Sequence, residues 1–281
     1  MTTLRHGDRN AEVRLLQQRL NARAGAGAGL FVDGDYGDTT ETAVRAYQLR
    51  TGLVADGIAG PKTLATLAGA DCSTLLHNAT LVAAATRLGV ELAAIYAVNE
   101  VESQGEGFLS PGRPKILFER HVMYQRLALP RAPSDDASAL QARADRLAAQ
   151  FPALVNTRPG GYAGGAAEHQ RLASARQIDA QCAPESASWG AFQIMGYHAL
   201  RLGYASVDEF VRLMSQDENQ QFEAFVRFIE AEPALLKALK ARKWAAFARG
   251  YNGPNYARNL YDSKLEEAYR RHATCCTPEA A

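Results

Sequence analysis

Cysteines, long apolar runs and an excess of charge of either sign are all scarce in this sequence of 281 residues. The 31 basic and 30 acidic residues leave a net charge of +1, which does not favour binding to nucleic acid or anionic lipid. No apolar stretch approaches the ~18–20 residues that a membrane-spanning helix needs. The four cysteines, Cys72, Cys182, Cys275 and Cys276, form no CxxC pair and no metal-ligand spacing. We interpret them as free thiols, which are typical of a reducing compartment.

The first ten residues, MTTLRHGDRN, lack the apolar segment that a secretory signal contains. We therefore expect the protein to begin its life in a cytosol. The six histidines form no HExxH motif or other close pair of ligands, so we expect no metal and no cofactor. A composition of 47% hydrophobic and 22% charged residues is that of a globular protein, and the length allows one or two domains.

The N-terminal region contains a weak internal repeat. The segments LFVDGDYGDTTETAVRAYQ (30–48) and LVADGIAGPKTLATL (53–67) each have an apolar pair, an Asp-Gly turn and a Thr-containing start of a helix. Before them, Val13, Leu16 and Leu20 recur on one face of a helix. We predict a three-helix module over residues 1–70, followed by a linker at 71–78.

The remainder, residues 79–281, is predicted to be a second and larger domain. Long segments of helical periodicity alternate with loops rich in proline and glycine. The segments KILFERH (115–121) and SWGAFQIMG (188–196) are the only candidate strands. The fold class we expect is therefore mainly α, with a small helical module followed by a larger α-rich domain.

Two glutamates close an apolar helical segment near residue 100. On a helix that includes Leu88, an apolar stripe leads to Glu102, whereas Glu100 lies on another side. A carboxyl group held against apolar surface favours its neutral form, as a general acid requires. We predict that Glu102 is such an acid. The alternative is that both glutamates are solvated residues at a fraying helix end.

Three further motifs give Glu102 a context. The pair Glu102-Ser103, the segment GAFQIM (190–195) and the Tyr-Asn-Gly at 251–253 occur in the order found in the lysozyme-like superfamily, which includes goose-type lysozymes and lytic transglycosylases. More closely, residues 75–272 resemble the N-acetylmuramidase domain of modular phage endolysins that act on Gram-negative cell walls. Residues 3–68 resemble the peptidoglycan-binding domain often attached to them. One departure is Arg249, where the superfamily usually has alanine.

The resemblance implies hydrolysis of the β-1,4 bond between N-acetylmuramic acid and N-acetylglucosamine, with Glu102 as the general acid. Glu119 is the best second carboxylate, although it could instead order a loop through Arg120 or a backbone amide. The resemblance also implies a set of substrate-binding residues, which are Ser103, Phe192, Gln193, Tyr197, Tyr251 and Asn252. Each has a structural alternative, either in the core or in a turn. Asp33, Tyr36 and Asp56 are candidates for cell-wall binding, with turn formation as the alternative.

The implied partner is peptidoglycan, and we expect a monomer without nucleic-acid binding or stable membrane association. We expect accumulation in the host cytoplasm, with release to the cell wall at lysis. A lytic transglycosylase, which forms 1,6-anhydro products with the same acid, and a non-catalytic wall-binding protein remain alternatives. The histidine spacing argues against a zinc amidase, and nothing near Cys182 or His169 supports a cysteine peptidase.

Overall fold

The computed structural model describes residues 3–23, 29–103, 105–253 and 256–275, apart from the side chain of Cys275. The prediction of a mainly α fold is confirmed, because these residues form fourteen α-helices and five short strands. By its contacts the chain divides into two units, residues 1–101 with 234–281 (unit 1) and residues 102–233 (unit 2). The predicted domain limits at residues 70 and 78 stay predictions.

Unit 1 is built from helices taken from both ends of the chain. They are α1 (Ala11–Arg23), α2 (Asp38–Thr51), α3 (Pro61–Leu67), α4 (Asn78–Leu88), α5 (Leu92–Glu102), α12 (Pro233–Lys240), α13 (Trp244–Asn252) and α14 (Tyr261–Cys275). The last residue of α5 and the first of α12 belong to unit 2. A short 3-10 turn, Tyr256–Asn259, precedes α14.

Helices α1 to α3 pack around one apolar core. Val13, Leu16 and Leu20 are buried there, as their spacing predicts, together with Tyr36 and Tyr47. Part of the segment predicted to be a linker also packs on this module, since Cys72 and Leu75 contact the same core. Backbone bridges from Leu4 to Ala59 and from Leu53 to His77 join its ends.

Each copy of the sequence repeat contains the same hydrogen-bonded arrangement, a buried glutamine bonded to an Asp-Gly turn, which we call a clasp. The buried Gln17 accepts the N–H of Gly34 through Oε1 at 2.9 Å and donates through Nε2 to Asp33 Oδ1 at 2.8 Å. In the second copy, the buried Gln48 accepts the N–H of Gly57 at 3.0 Å and donates to Asp56 Oδ1 at 2.9 Å. Each aspartate also accepts the N–H two residues ahead, which closes the turn. The glutamines therefore satisfy buried turn groups that regular structure leaves unpaired.

The prediction of one continuous helix that includes both Leu88 and Glu102 is wrong. The chain breaks at Gly89, whose φ of 63° is left-handed, and α5 starts at Leu92 after a bend of 118° from α4. Residues 93–98 occupy every side of α5, and all of them are buried. An apolar stripe is therefore not what distinguishes Glu102, because this helix is surrounded by protein along its first turns.

Among the described residues, none of the helices is by itself long and apolar enough to cross a membrane. Taken together, the bent pair α4 and α5 has the length and composition of a membrane span. Burial of Leu81, Leu88 and residues 93–98 inside the protein explains why these helices are apolar.

Unit 2 combines helices with two small antiparallel sheets. The helices are α6 (Arg120–Ala128), α7 (Ala137–Gln150), α8 (Ala167–Ile178), α9 (Cys182–Glu185), α10 (Val207–Met214) and α11 (Glu218–Glu230). Strands β1 (Phe108–Ser110) and β2 (Arg113–Pro114) form a hairpin, and β3 (Ile116–Phe118), β4 (Ala187–Trp189) and β5 (Ile194–Met195) form a sheet in that order. Both candidate strand segments therefore contain strands.

The register of the three-stranded sheet separates two faces. Ile116, Trp189 and Ile194 lie opposite one another and are buried, which places this face on the core. Leu117 lies opposite Ser188 on the other face, and Ser188 opposite Met195. Glu119 follows the last residue of β3 and lies immediately before α6.

The clasp leads to a stability prediction. Replacing Gln48 with leucine removes the partners of Gly57 N–H and Ile58 C=O, and we expect the free energy of unfolding to fall by about 2–3 kcal/mol. Gln17→Leu is expected to cost a similar amount. Chemical denaturation of the full chain measures both. The exposed Gln18→Leu is the control, and equal stability of Gln18→Leu and Gln48→Leu would contradict the clasp.

Candidate active site

Glu102 is the last residue of α5 and has only 5% of its surface exposed. Ser103, which follows it, is partly buried. Glu100 has a different environment, since its carboxylate accepts Arg271 Nη2 at 2.7 Å and lies 2.9 Å from His272 Nε2. Burial by itself would raise the pKa of Glu100, but the hydrogen bond with His272 and the charge of Arg271 hold it below its usual value. Glu100 is therefore the ionised member of an ion-pair cluster.

The loop that follows Glu102 is held at Gly107. Its N–H donates to Glu218 Oε1 at 2.9 Å, and its carbonyl accepts the N–H of Lys115 at 2.9 Å. The carbonyl of Lys115 in turn accepts the N–H of Gly190 at 2.8 Å. Residue 115 thus connects the loop after Glu102 to the turn between β4 and β5.

That turn carries Gln193 in a strained conformation. Its φ of 51° is left-handed, which is uncommon for a residue with a side chain. The side-chain amide is fixed on both sides, because Oε1 accepts Ser188 Oγ at 2.6 Å and Nε2 donates to the carbonyl of Gly190 at 2.7 Å. Strained backbone of this kind persists where the surroundings impose it, often at functional sites.

Gln193 and Glu119 are both connected to the neighbouring positions Ser188 and Leu117 of the sheet. Ser188 holds Gln193, and it lies opposite Leu117, two residues before Glu119. Within unit 2 the structure therefore brings together three of the predicted site elements: the loop after Glu102, the turn of Gln193 and the strand that leads to Glu119.

Glu119 is ordered by Tyr162. The single hydroxyl proton of the phenol is shared between the two carboxylate oxygens, with Oε2 at 2.8 Å and Oε1 at 3.1 Å. His121 Nδ1 lies 3.1 Å from Oε2 without hydrogen-bond alignment. Burial and the bond to Glu119 raise the pKa of the Tyr162 phenol. Arg120 points elsewhere, since it donates to backbone carbonyls of the loop at 152–159. The loop-ordering alternative for Glu119 therefore acts through Tyr162 and not through Arg120.

Glu168 anchors the loop that contains Tyr162. This fully buried carboxylate accepts the N–H groups of Ala163 at 2.6 Å and Gly164 at 3.0 Å with one oxygen. The other oxygen accepts Phe118 N–H at 3.0 Å and Arg171 Nη1 at 2.7 Å. Burial by itself would raise the pKa of Glu168, but these donors hold it below its usual value. The carboxylate therefore ties the loop to β3, next to Glu119.

The other predicted substrate residues have varied surroundings. Phe192 is 3% exposed and stacks on Phe225 at 4.8 Å, which is a core position. Tyr197 is 38% exposed, with the guanidinium of Arg126 at 5.9 Å from its ring. Tyr251 and Asn252 end α13 in unit 1, are partly buried, and Tyr251 stacks on Phe247. Their roles toward a sugar stay predictions.

The three cell-wall candidates occupy the clasps of the N-terminal module. Tyr36 is fully buried and donates through its hydroxyl to the carbonyl of Gly57 at 2.7 Å. Hydrogen bonds from Asp35 N–H and Gln17 lower the pKa of Asp33. Burial raises the pKa of Asp56, which lines a cavity of about 300 Å³. Each has a structural role here, and contact with the cell wall stays a prediction.

The described residues contain no group of three or more His, Cys, Asp or Glu side chains that could hold a metal ion. Cys72 and Cys182 are free, and burial raises the pKa of the Cys182 thiol to about 11. The side chain of Cys275 and the whole of Cys276 lie outside the described residues.

Sequence reasoning missed four residues that organise this region: Tyr162 as a partner of Glu119, together with Glu168, Glu218 and Gln221. A signal was present for the last two. Glu218 and Gln221 lie three residues apart on the buried face of α11, beside Phe222. Polar side chains among the apolar positions of an amphipathic helix indicate bonds to buried backbone groups.

Two family models match the chain. One is described as N-acetylmuramidase and matches residues 91–273, and the other describes a peptidoglycan binding domain and matches residues 9–67. Among solved structures, the crystal structure of the Burkholderia AP3 phage endolysin is 53% identical, with a TM-score of 0.87. That likeness covers 99% of this chain and 100% of the endolysin chain.

A shorter similarity concerns the zinc D-Ala-D-Ala carboxypeptidase of Streptomyces albus G. It is 48% identical over 61 residues, which are 22% of this chain. This chain therefore matches only 24% of the length of that carboxypeptidase.

The buried Glu168 gives a pH-dependent prediction. Its pKa in the folded protein is lowered, so its contribution to stability is present above the unfolded value of about 4.3 and is lost as the pH falls through the folded value. We expect Glu168→Gln to lower the free energy of unfolding by about 2–3 kcal/mol near pH 7, and less below about pH 4. Urea unfolding at several pH values measures this.

The control for that experiment is Asp208→Asn, at an exposed acid in the same unit. A difference between wild type and Glu168→Gln that stays constant from neutral to acid pH would contradict the prediction.

Proposed function

This chain belongs to the N-acetylmuramidase family, and from that premise we propose that it hydrolyses the β-1,4 bond between N-acetylmuramic acid and N-acetylglucosamine in peptidoglycan. Glu102 is the proposed general acid. The sequence-based identification as a modular endolysin, with a peptidoglycan-binding module before a muramidase domain, is confirmed, and so is the enzyme class of muramidase. In general terms, the protein is an endolysin that degrades the cell wall, with peptidoglycan as its partner.

The observation that supports Glu102 most directly is its burial. A carboxyl group with 5% exposure, next to a loop fixed on the turn of Gln193, meets two requirements of a general acid. It is shielded from bulk water, and its position is constrained by the loop that follows it. Glu100, two residues earlier, is ion-paired and keeps its negative charge. The proton for the leaving oxygen of the glycoside therefore comes from Glu102 in this proposal.

The remaining polar groups have proposed roles around this acid. Gln193, held by Ser188 in one orientation, positions the sugar by hydrogen bonds. Glu119 activates water or stabilises the oxocarbenium ion, as the second carboxylate of a glycosidase does. Ser103, Tyr197, Tyr251 and Asn252 are proposed as further sugar contacts on the basis of the motif resemblance.

The acid is tested by one isosteric change. In Glu102→Gln the side chain keeps its size and loses its transferable proton, and we expect the rate of lysis to fall by about 100-fold or more. The assay is loss of turbidity of Gram-negative cells whose outer membrane has been stripped. Glu106→Gln, an exposed glutamate in the adjacent loop, is the matched control. An unchanged rate in Glu102→Gln would remove Glu102 from the mechanism.

Hydrolysis and transglycosylation are separated by the products. Both use the same acid, but water captures the anomeric carbon in one case and the muramyl 6-hydroxyl in the other. We expect mass spectrometry of the released muropeptides to show reducing ends. Predominant 1,6-anhydro ends would identify a lytic transglycosylase instead.

The role of Glu119 is tested against that of its partner. We expect Glu119→Gln to lower kcat by about 10-fold or more, because the carboxylate charge is lost. Tyr162→Phe removes only the hydrogen bond and should cost less. Equal losses of activity in the two variants would show that Glu119 only orders the loop.

The N-terminal module is proposed to hold the enzyme on its polymeric substrate. The match of residues 9–67 to a peptidoglycan binding domain supports this role. Accumulation in the host cytoplasm, a monomeric state and the absence of nucleic-acid or membrane binding stay predictions.

A further inference from the structure

We infer that Gln221 is a positioning residue for catalysis, which holds the loop after Glu102 and the turn of Gln193 in their relative places. This inference rests on the proposed role of Glu102. Gln221 lies on α11, is 1% exposed, and follows Glu102 by more than a hundred residues in the sequence.

The amide of Gln221 joins three separate segments. Nε2 donates to the carbonyl of Gly107 at 3.3 Å and to that of Met214 at 2.9 Å. Oε1 accepts the N–H of Ala191 at 2.8 Å. Both protons of the amide are therefore used, and its oxygen bonds the turn that leads to Gln193. One side chain connects the loop of the acid, the turn of the proposed sugar contact and the end of α10.

Two glycines make room for this amide. A Cβ at Gly107 would lie 2.1 Å from Gln221 Oε1, and a Cβ at Gly190 would lie 2.5 Å from Gln221 Cδ. Real Cβ atoms do not approach so closely, so a side chain at either position would have to displace the amide of Gln221. Gly190 also has a φ of 75°, which favours glycine by itself. Gln221, which lies outside the motifs, thus accounts for the glycine at 107 in the loop after Glu102 and for the glycine at 190 in the segment GAFQIM.

Glu218 holds the same loop from one helical turn earlier. Its Oε1 accepts the N–H of Gly107 at 2.9 Å, so α11 satisfies both the N–H and, through Gln221, the carbonyl of that glycine. Asp217 caps the helix by accepting the N–H of Gln220, which fixes where the first turn begins. The helix start thereby sets the position of the loop that follows Glu102.

The position of the acid matters because proton transfer requires hydrogen-bond reach to the leaving oxygen. A displacement of about 1 Å can lower the rate on the order of 100-fold. We do not propose that Gln221 contacts the substrate or the reacting atoms. Its effect on the reaction passes through Gly107 to Glu102, and through Ala191 to Gln193.

The test compares Gln221→Met with Gln220→Met. Methionine is close to glutamine in size but removes all three hydrogen bonds, and Gln220 is the partly exposed glutamine one position earlier. Kinetics on purified peptidoglycan give kcat and KM for each variant, with kcat expressed per folded molecule from circular dichroism. We expect kcat of Gln221→Met to fall on the order of 10- to 100-fold, with KM changed less than about threefold.

Two further measurements separate positioning from mere stability. Hydrogen exchange at the amides of Gly107 and Lys115 should accelerate in Gln221→Met at temperatures where the protein remains folded. The alkaline limb of the kcat/KM profile should shift in pH, because activity is lost there as the general acid Glu102 gives up its proton, and the surroundings of Glu102 change in the variant. Neither effect is expected in Gln220→Met.

The variant Gly107→Ala tests the same connection without changing the residue at position 221. Its added methyl group must displace the amide of Gln221 or the loop, so kcat should fall by a similar factor. If both substitutions disrupt the same connection, the kcat of the double variant Gly107→Ala with Gln221→Met will be close to that of the less active single variant. Losses that multiply independently would overturn the inference.

A kcat per folded molecule of Gln221→Met within twofold of wild type would also overturn it. The variant Glu102→Gln, assayed in parallel, keeps the two proposals distinguishable. Full activity of Glu102→Gln overturns the proposed acid together with this inference. Loss of activity there, combined with full activity of Gln221→Met, overturns this inference alone.

Discussion

Buried side-chain amides bond to the backbone of turns throughout this protein, and the rest of the structure depends on those bonds. Turn N–H and C=O groups have no partner in a helix or strand, and leaving one buried and unpaired costs about 1–3 kcal/mol. Glutamine meets this requirement well because its amide both donates and accepts. Gln17 and Gln48 each close one turn of the N-terminal module, and Gln221 connects segments of unit 2.

Buried carboxylates complete the same scheme around the proposed site. Glu168 and Glu218 accept backbone N–H groups of the loops next to Glu119 and Glu102. A carboxylate can be buried at tolerable cost only when such donors surround it, so each fixes its loop as well as itself. Glu102 differs in its proposed use, because a general acid must give up its proton. In that proposal, the site combines carboxylates that accept hydrogen bonds with one carboxyl group that donates a proton.

Much of the N-terminal module, and the family, could be predicted from local patterns. The spacing of Val13, Leu16 and Leu20 predicted the core of α1, and the Asp-Gly repeat predicted both turns. The motifs at 102–103, 190–195 and 251–253 identified the family. The apolar stripe used to choose Glu102 was wrong as an argument, since Leu88 lies in another helix and α5 is buried on every side. What sets Glu100 apart in the structure is its ion pair with Arg271 and its contact with His272.

The sequence by itself determined the family and the helical class and proposed candidate site residues, because these depend on composition, periodicity and short motifs. Only the tertiary structure decided that Glu100 is ion-paired, that Tyr162 and not Arg120 orders Glu119, and that Gln221 links two loops. Those contacts join residues up to 172 positions apart. Local patterns carry no information about such partners, because a hydrogen bond depends on the distance between two groups in space and not on their separation along the chain.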